Sequence, residues 1–242
     1  MTIFTIARSS NKKTGDIPQV AIMGDRWTPD GPHAGELVAQ TCQGCRRLPK
    51  KHGGAGEARC YAFGGTGQLA LLSALRAEAQ KGAKYAGGWG LKGFQKALKR
   101  SARTAKAVRL GMIGDPVGDL EAVREIAAAA RAAESDPFDV LVYSHFWRKI
   151  KPSDAMASVD GDNGRADEGF KEADRAARAG FRVALVLDEE DLPGPGFTIN
   201  GKAAILCPAQ REPVGRRAAV TCNDCRLCDP QKSGPHILFR SH

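Results

Sequence analysis

Seven cysteines carry the clearest chemical potential in this chain, and they fall into two groups. In order along the chain they are Cys42, Cys45 and Cys60, followed by Cys207, Cys222, Cys225 and Cys228. Two thiolates separated by two residues can bind one metal ion from a single tight turn, and Gly44 lets that turn form without a Cβ clash. The spacing therefore predicts two metal sites, with three thiolates in the first and four in the second.

The metal at these sites has two candidate identities, because four thiolates hold either a tetrahedral zinc ion or a cubane iron–sulfur cluster. Three cysteines within the seven residues 222–228 are typical of ferredoxin loops, which favours a [4Fe–4S] cluster. A cubane held by only three cysteines also keeps one iron open to a small molecule. This would explain why the first group has three cysteines and the second has four. In the zinc alternative both groups pin loops, and His33 or His52 completes the first site.

The middle of the chain predicts the elements that position these groups. Strand patterns cover 108–113, 139–144, 157–159 and 181–187, and helical patterns with one apolar face cover 119–133 and 165–179. Alternation of strand and helix is typical of right-handed βαβ units around a parallel sheet. We therefore expect an α/β fold that forms a partial or complete β/α barrel, with a doubly wound open sheet as the alternative.

Irregular segments that contain the cysteines flank this core at both ends. Residues 1–65 are rich in glycine, proline and polar side chains, with a short strand expected at 19–23. Residues 66–206 form the predicted β/α core, and residues 207–242 form the carboxyl-terminal cysteine segment. Shorter strand candidates cover 203–206 and 236–239.

Polar residues stand directly after the predicted strands of the core. They are Asp115, Ser144 with His145, Asp160 and Asp188. In parallel α/β folds, ligands bind at the carboxyl ends of the strands. We therefore expect a substrate or cofactor to lie beside Asp115, His145 and Asp188. The aromatic run at 145–148 either stacks on that ligand or packs in the core and at its rim.

Composition bounds the class of protein. The 242 residues are 42% apolar, which is enough for a hydrophobic core that needs no disulfide. Residues 1–10 lack an apolar run of signal-peptide length, and no stretch approaches the ~18 apolar residues of a membrane span. We expect a soluble protein of a reducing cytosol with no membrane partner. In that compartment, closely spaced cysteines bind metal more often than they form disulfides.

The formal charge of +9 favours anionic partners, with nucleic acid first among them. Six basic residues concentrate in and just after a helix predicted at 92–105, namely Lys92, Lys96, Lys99, Arg100, Arg103 and Lys106. A helix would align several of these residues along one stripe that can contact phosphates. A solvated basic face without a partner is the alternative interpretation.

Several of these features together resemble a group of uncharacterised, mostly phage-encoded proteins of the gene-product-88 type and related domains of unknown function. The shared features are a Cys-x2-Cys pair near the amino end, a later Cys60-Tyr61-Ala62 that opens a helix, the β/α middle and a terminal C-x2-C-x2-C run. Residues 11–18 resemble the opening segment of that group, and Gly114-Asp115 lies at the matching strand end.

Members of that group in turn resemble divergent radical S-adenosylmethionine (SAM) enzymes. The resemblance implies a [4Fe–4S] cluster on Cys42, Cys45 and Cys60, whose open iron chelates the methionyl group of SAM, and a second cluster on the four later cysteines. It also implies cofactor contacts from Tyr61 and Gly114. The cysteine spacing departs from the usual radical SAM pattern, in which three and then two residues separate the cysteines and an aromatic residue precedes the last one.

Three hypotheses of function follow. The first is a radical-SAM-like enzyme that cleaves SAM reductively to a carbon radical, with a nucleic acid or nucleotide among the candidate substrates. The second is a zinc-stapled nucleic-acid-binding protein without catalysis, which contacts phosphates through residues 92–106. The third is an iron–sulfur redox or sensor protein that uses no SAM. For a phage-encoded protein, the expected compartment is the cytosol of the host cell.

Overall fold

The computed structural model of the chain describes residues 2–8, 13–24, 42, 98, 104–111, 114–133, 137–211 and 219–241. The strands in these residues are β1 (Thr2–Arg8), β2 (Pro18–Gly24), β3 (Ala107–Leu110), β4 (Asp139–Ser144), β5 (Met156–Asp160), β6 (Val183–Leu187), β7 (Thr198–Ile199), β8 (Lys202–Leu206) and β9 (His236–Arg240). The α-helices described are α1 (Leu120–Arg131), α2 (Ala166–Arg178) and the short α3 (Cys222–Cys225).

The described strands form one sheet in the order β1-β2-β3-β4-β5-β6-β9-β8-β7. Neighbouring strands from β2 to β8 along this order are parallel, and β1 and β7 add an antiparallel strand at each edge. The α/β class expected from the sequence is therefore confirmed. From β2 to β6 each strand lies beside its predecessor and the order never reverses. Such an order is singly wound, whereas a doubly wound sheet reverses direction at a switch point.

Helices α1 and α2 pack on the same face of the sheet. The buried side of α1 meets Val142 of β4, and the buried side of α2 meets Ala157 of β5. Ser144 of β4 pairs with Ala157 in the parallel register. Because alternate residues of a strand share a face, Val142 and Ala157 lie on the same side of the sheet. The opposite side is thus left to other parts of the chain.

Both helices form where an apolar stripe recurs with helical spacing. Asp119 caps α1, since its carboxylate accepts a hydrogen bond from the Ala122 backbone N at 3.2 Å. The buried residues are Val123, Ile126, Ala127 and Ala130 in α1, and Gly169, Ala173 and Ala176 in α2. Within the predicted helix at 92–105, Leu98 is helical and buried in the same core as α1, whereas Thr104 and Ala105 are not helical, so the predicted end of the helix is wrong.

The carboxyl-terminal segment covers the face of the sheet opposite α1 and α2. The core on that side comprises Ile17, Ala107, Leu141, Met156, Ala184, Cys207, Cys228 and Ile237. We call the face that carries Leu141, Met156, Ala184 and Ile237 the inner face. The sheet takes strands from all three segments of the chain, since β1 and β2 precede the predicted core and β9 follows it. β1 and β7 have no counterpart among the strands predicted from the sequence.

Candidate metal centre

The four carboxyl-terminal cysteines come together at one pocket on the inner face. The pocket has a volume of about 320 Å³, including space open to solvent. Strands β4 and β9 form one wall, and the turn after β8 together with residues 222–228 forms the rest. The cysteines that line it are Cys207, Cys222, Cys225 and Cys228, and none of them forms a disulfide. The structure thus unites the four cysteines that the sequence assigns to one site.

A short helix presents two of these thiols. Thr221 caps α3, since its hydroxyl donates to Asp224 Oδ2 at 2.6 Å and its backbone N donates to the same oxygen at 3.1 Å. Cys222 and Cys225 are three residues apart, which places them on one side of the helix. Arg226 then adopts a left-handed φ of 51° and ends the helix. The chain turns there, and the last cysteine of the run enters the same pocket.

Long-range hydrogen bonds hold this segment against the chain that leads into β3. Asn223 Oδ1 accepts from the Lys106 backbone N at 2.7 Å, and Asn223 Nδ2 donates to the Thr104 carbonyl at 3.1 Å. The backbone N of Cys222 donates to the Lys13 carbonyl at 3.0 Å. Helix α3 is therefore positioned by residues far from it in the sequence.

Asp229 follows the last cysteine and is buried, with 3% of its surface exposed. Its carboxylate accepts hydrogen bonds from the Val140 backbone N at 2.9 Å, the Gln231 backbone N at 3.0 Å and Arg131 Nη2 at 2.9 Å. A buried carboxylate requires such partners to offset its loss of hydration. Asp229 thereby fixes the end of the cysteine run to β4 and α1.

Arg182 is a second buried charge beside the cysteine run, with 6% of its surface exposed. Its guanidinium donates only to backbone carbonyls of the described residues. Nε donates to Pro235, Nη1 to Asp229 and Lys232, and Nη2 to Leu227 and Pro235. All five guanidinium N–H groups can be satisfied in this way. A single side chain thus orders the chain between the last cysteine and β9.

Burial controls the protonation of the thiols. Burial, with a smaller contribution from neighbouring cysteines, raises the pKa of Cys222 to about 11 and the pKa of Cys228 to about 12. Burial also raises the pKa of Cys207. Two neighbours act in the opposite direction, because the Tyr143 hydroxyl lowers the pKa of Cys228 and the Arg109 charge lowers that of Cys222. Metal binding at neutral pH must therefore release protons from these thiols.

Tyr143 forms the wall of the pocket next to the last cysteine. Burial raises the pKa of its phenol well above the usual value, so the hydroxyl remains a hydrogen-bond donor. The Arg109 guanidinium lies over the ring at 5.6 Å from its centre, and Phe239 meets the ring edge-on at 6.1 Å between centres. These contacts hold Tyr143 in place between β3 and β9.

The four thiols have the chemistry of metal ligands, and they line one pocket. Thiolates are the ligands of structural zinc and of iron–sulfur clusters. Among the described residues, no group of three or more cysteine, histidine or carboxylate side chains is arranged to hold a single metal ion. The basis for a metal centre is therefore the convergence of four thiols on the inner face and the buried charges around them.

The structure describes little of the first cysteine group. Cys42 is described and partly buried. The other residues predicted for the first site and for the basic helix lie outside the described residues, namely Cys45, Cys60, Tyr61, Lys92, Lys96, Lys99, Arg100 and Arg103. The three-cysteine site and the phosphate-contacting helix therefore stay predictions.

The predicted strand-end residue Asp115 is buried and bonded within the fold. Its Oδ1 accepts from Ser144 Oγ at 2.7 Å and from the Val117 backbone N at 3.0 Å, and its Oδ2 accepts from the His145 backbone N at 2.9 Å. Burial raises the pKa of this carboxyl even though the three hydrogen bonds lower it. Gly114 precedes it with a φ of 82°, which favours glycine. Asp115 thus joins the ends of β3 and β4.

His145 lies at the end of β4 beside two polar residues of β5. Its Nε2 is 3.3 Å from Ser158 Oγ and 3.4 Å from Asp160 Oδ1, and its Nδ1 is 4.0 Å from Asp115 Oδ2. The imidazole is 36% exposed. The polar residues at the ends of β3, β4 and β5 therefore form one cluster.

Two other predicted residues have structural partners. Asp188, after β6, accepts from Ser241 Oγ at 2.6 Å and from the Gly164 backbone N at 3.2 Å. It thereby connects the loop after β5 with the end of β9. Trp147 is buried and packs edge-on against Phe181 at 5.5 Å between ring centres, so this part of the aromatic run packs in the core.

Three side chains at the pocket were not identified from the sequence, namely Tyr143, Arg182 and Asp229. Arg182 did give a signal, since it is the one charged residue in the apolar run at 181–187. Such a residue in a buried strand requires partners elsewhere in the fold. Tyr143 and Asp229 give no local signal, because their roles depend on contacts between distant parts of the chain.

Comparison with known proteins gives no match for this chain among protein-family models, curated proteins or solved structures. In the part of the chain that the structure describes, no helix has the length and apolar character needed to cross a membrane. The residues and geometry of the site are therefore the basis for a function.

Proposed function

We propose that this protein is an iron–sulfur protein of the radical-SAM-like class, whose four carboxyl-terminal cysteines hold a [4Fe–4S] cluster. The observation that supports the proposal is the convergence of Cys207, Cys222, Cys225 and Cys228 on one pocket of the inner face. Four thiolates are the ligand set of a closed cubane. Zinc is the alternative metal for the same ligands, and it would make the site a structural staple.

The same proposal makes the sheet a partial β/α barrel. A singly wound order from β2 to β6 and helices on one face support this architecture. In such a barrel, ligands bind at the carboxyl ends of the strands. The polar cluster of His145, Ser158 and Asp160 lies at that end.

The residues around the pocket define what the chain contributes to this centre. A bound cluster supplies a one-electron couple. Tyr143 and Phe239 exclude water on the side of the sheet, and the Tyr143 hydroxyl interacts with the Cys228 sulfur. Arg182 orders the backbone on both sides of Cys228. Hydrogen bonds and burial around the sulfurs tune the reduction potential of such a centre.

We further propose that the first cysteine group holds a second cluster that binds SAM, as the resemblance implies. Its ligands would be Cys42, Cys45 and Cys60, with cofactor contacts from Tyr61, Gly114, Asp115, His145 and Asp188. SAM held by these residues would supply radical chemistry, with the electron for its reductive cleavage coming from the cluster on Cys42, Cys45 and Cys60. His145 Nε2, next to Ser158 Oγ, is positioned to hold or accept a proton at the strand end.

Metal analysis of protein purified without oxygen tests the proposed centres. We expect roughly eight iron and eight sulfide per chain, with broad absorption near about 400 nm. Cys225→Ser and Cys42→Ser should each remove about half of the iron, because each breaks one cubane. Oxygen must be excluded, since loss of a cluster on exposure to oxygen leaves thiolates that zinc can occupy. Two zinc ions in a colourless sample would overturn the iron–sulfur assignment.

A ligand-binding experiment tests the strand-end cluster separately. His145→Gln should weaken SAM binding about tenfold, because the loss of one hydrogen bond to a charged ligand costs on the order of 1.5 kcal/mol. Equilibrium dialysis of anaerobic protein measures the affinity, and iron content should stay unchanged. Asp174→Asn, a change in an ion pair on α2, is the control. Unchanged SAM affinity in His145→Gln would show that His145 does not contact SAM.

A further inference from the structure

Arg182 is a buried cation that forms no ion pair or hydrogen bond with a carboxylate among the described residues. Its guanidinium is bonded to backbone carbonyls alone, and it is 6% exposed. Hydrogen bonds to carbonyls satisfy the N–H groups, but they do not neutralise a full positive charge in a buried position. A nearby group of negative charge would therefore stabilise Arg182.

The cysteine pocket lies directly beside this cation. The guanidinium bonds to the carbonyls of Leu227 and Asp229, which precede and follow Cys228. Arg182 interacts electrostatically with Cys228 most strongly, and then with Tyr143, Asp229 and Cys225. The neighbouring carboxylate of Asp229 already forms an ion pair with another arginine, at 2.9 Å. Arg109 and Lys13 act on Cys222 and Cys207, whereas Arg182 is the cation bonded to the backbone on both sides of Cys228.

Metal binding would convert these thiols into thiolates, and their negative charge would then balance the positive charge of Arg182. Four thiolates contribute about −4, and a zinc ion or an oxidised cubane core contributes about +2, so the bound centre carries about −2. In a buried position, a charge of one sign is stabilised strongly by a charge of the other sign at short range.

We propose that Arg182 is the counter-charge of the four-cysteine metal centre, and that its charge controls how tightly the centre retains metal and how readily it accepts an electron. This inference rests on the proposed metal centre, with either metal. Arg182 is a positioning residue, because it acts through Cys228 and the backbone beside it. The loss of its positive charge should destabilise the bound centre, and the reduced state should lose more because it is the more negative.

Three variants separate the charge of Arg182 from its hydrogen bonds. Arg182→Gln removes the charge, and Arg182→Lys keeps the charge but loses the five-donor fork. Arg131→Gln is the matched control, since Arg131 anchors the same segment through Asp229 and likewise carries a positive charge. Each full-length protein is loaded with metal without oxygen. The measurements are the rate of metal release to a chelator, the midpoint of thermal unfolding and, for iron, the reduction potential.

We expect Arg182→Gln to release metal about tenfold faster than the unmodified protein. At a fixed potential its ratio of reduced to oxidised cluster should fall about tenfold, which is a shift of about 59 mV to more negative potential for one electron. Arg182→Lys and Arg131→Gln should unfold at lower temperature, yet both should stay within about twofold of the unmodified protein in release rate. If the metal is zinc, the release rate alone decides.

If Arg182→Gln and Arg131→Gln accelerate metal release equally, the counter-charge proposal is wrong, and Arg182 only holds the backbone in place. If Arg182→Gln does not fold, Arg182→Lys decides: release within about twofold of the unmodified protein supports the inference, and about tenfold faster release overturns it. Failure of the proposed centre itself is recognised separately, because Cys225→Ser would then leave the metal content of the protein unchanged.

Discussion

His236 is a single residue through which the stability of the fold should depend on pH. Its side chain is buried at 2% exposure, and its Nδ1 accepts a hydrogen bond from the Val183 backbone N at 3.0 Å. Burial, together with the positive charges of Lys202 and Arg182, lowers the pKa of His236 to about 4. The imidazole is therefore neutral in the folded protein at pH values where the unfolded chain carries it protonated.

The sign of the pH effect follows from this difference. Below a pH of about 6.5, His236 is protonated in the unfolded chain and stays neutral in the folded protein. The free energy of unfolding is therefore highest above about 6.5 and falls as the pH is lowered towards 4. The expected loss is about 1 to 3 kcal/mol, measured by urea unfolding at several pH values. His236→Asn keeps an acceptor for the Val183 N–H without titrating. If His236→Asn loses as much stability between pH 6.5 and 4 as the unmodified protein does, the pH effect belongs to other groups.

The cysteines of the two groups should differ when each is replaced singly. Cys225→Ser should lower the thermal midpoint strongly, because a closed metal site contributes folding free energy directly. If the first group binds SAM as proposed, Cys60→Ser should abolish that binding at a smaller cost in stability, because a site with an open position is kept for a ligand. Thermal unfolding and equilibrium dialysis of anaerobic protein measure the two effects. Equal losses of stability with no change in ligand binding would indicate two structural sites.

At the scale of elements, helix α2 owes its position to a close contact between two glycines. A Cβ added at Gly169 would lie 2.6 Å from the Gly161 Cα, which is backbone after β5 and has little room to move. Gly169→Ala should therefore destabilise the fold by about 1 to 3 kcal/mol, although alanine is the better helix former. Denaturant unfolding measures the change. Gly194→Ala is the control, since nothing lies within 4 Å of its added Cβ, and an equal effect in both would refute the contact.

The cysteine pocket on the inner face is formed by elements that are far apart in the sequence. Helix α3 contributes two thiols, the turn after β8 contributes a third, and β4 and β9 contribute the apolar wall. Asn223, Asp229 and Arg182 attach these parts to the sheet through backbone groups. The order of the strands therefore determines where the cysteines lie. Loss of these hydrogen bonds should separate the cysteines from one another before it unfolds the helices.

At the scale of the whole molecule, the net charge of +9 leads to a prediction about nucleic acid. If the basic residues of 92–106 contact phosphates, log affinity for duplex DNA should fall linearly with log salt, because bound counterions are released. Lys96→Glu with Lys99→Glu should reduce that slope by about two units and leave the metal content unchanged. Fluorescence anisotropy at several salt concentrations measures the slope.

The matched control places the same change of charge elsewhere on the molecule. Lys149→Glu with Lys171→Glu alters two exposed residues outside the basic stretch and should leave the slope within about half a unit. An equal effect of both pairs would indicate nonspecific attraction by net charge. The lack of measurable affinity at about 50 mM salt would exclude the basic stretch as a nucleic-acid site.

The sequence by itself determined the alternation of strands and helices, because the period of the apolar residues is a local property. β4 has the same bounds as the predicted strand at 139–144, and α2 lies within the predicted helix at 165–179. The sequence also grouped Cys222, Cys225 and Cys228 by their short spacing and added the more distant Cys207 as a fourth ligand, and it placed Asp115 and His145 at the ends of parallel strands.

Only the tertiary structure decided which strands are neighbours and what surrounds the thiols. β9 lies between β6 and β8, although the chain reaches β7 and β8 first, and β1 is a strand because β2 offers a partner along its whole length. Tyr143, Arg182 and Asp229 meet the cysteine run only in the folded chain. Burial and charge pairing depend on which distant residues become neighbours, and no local pattern of residue types records that.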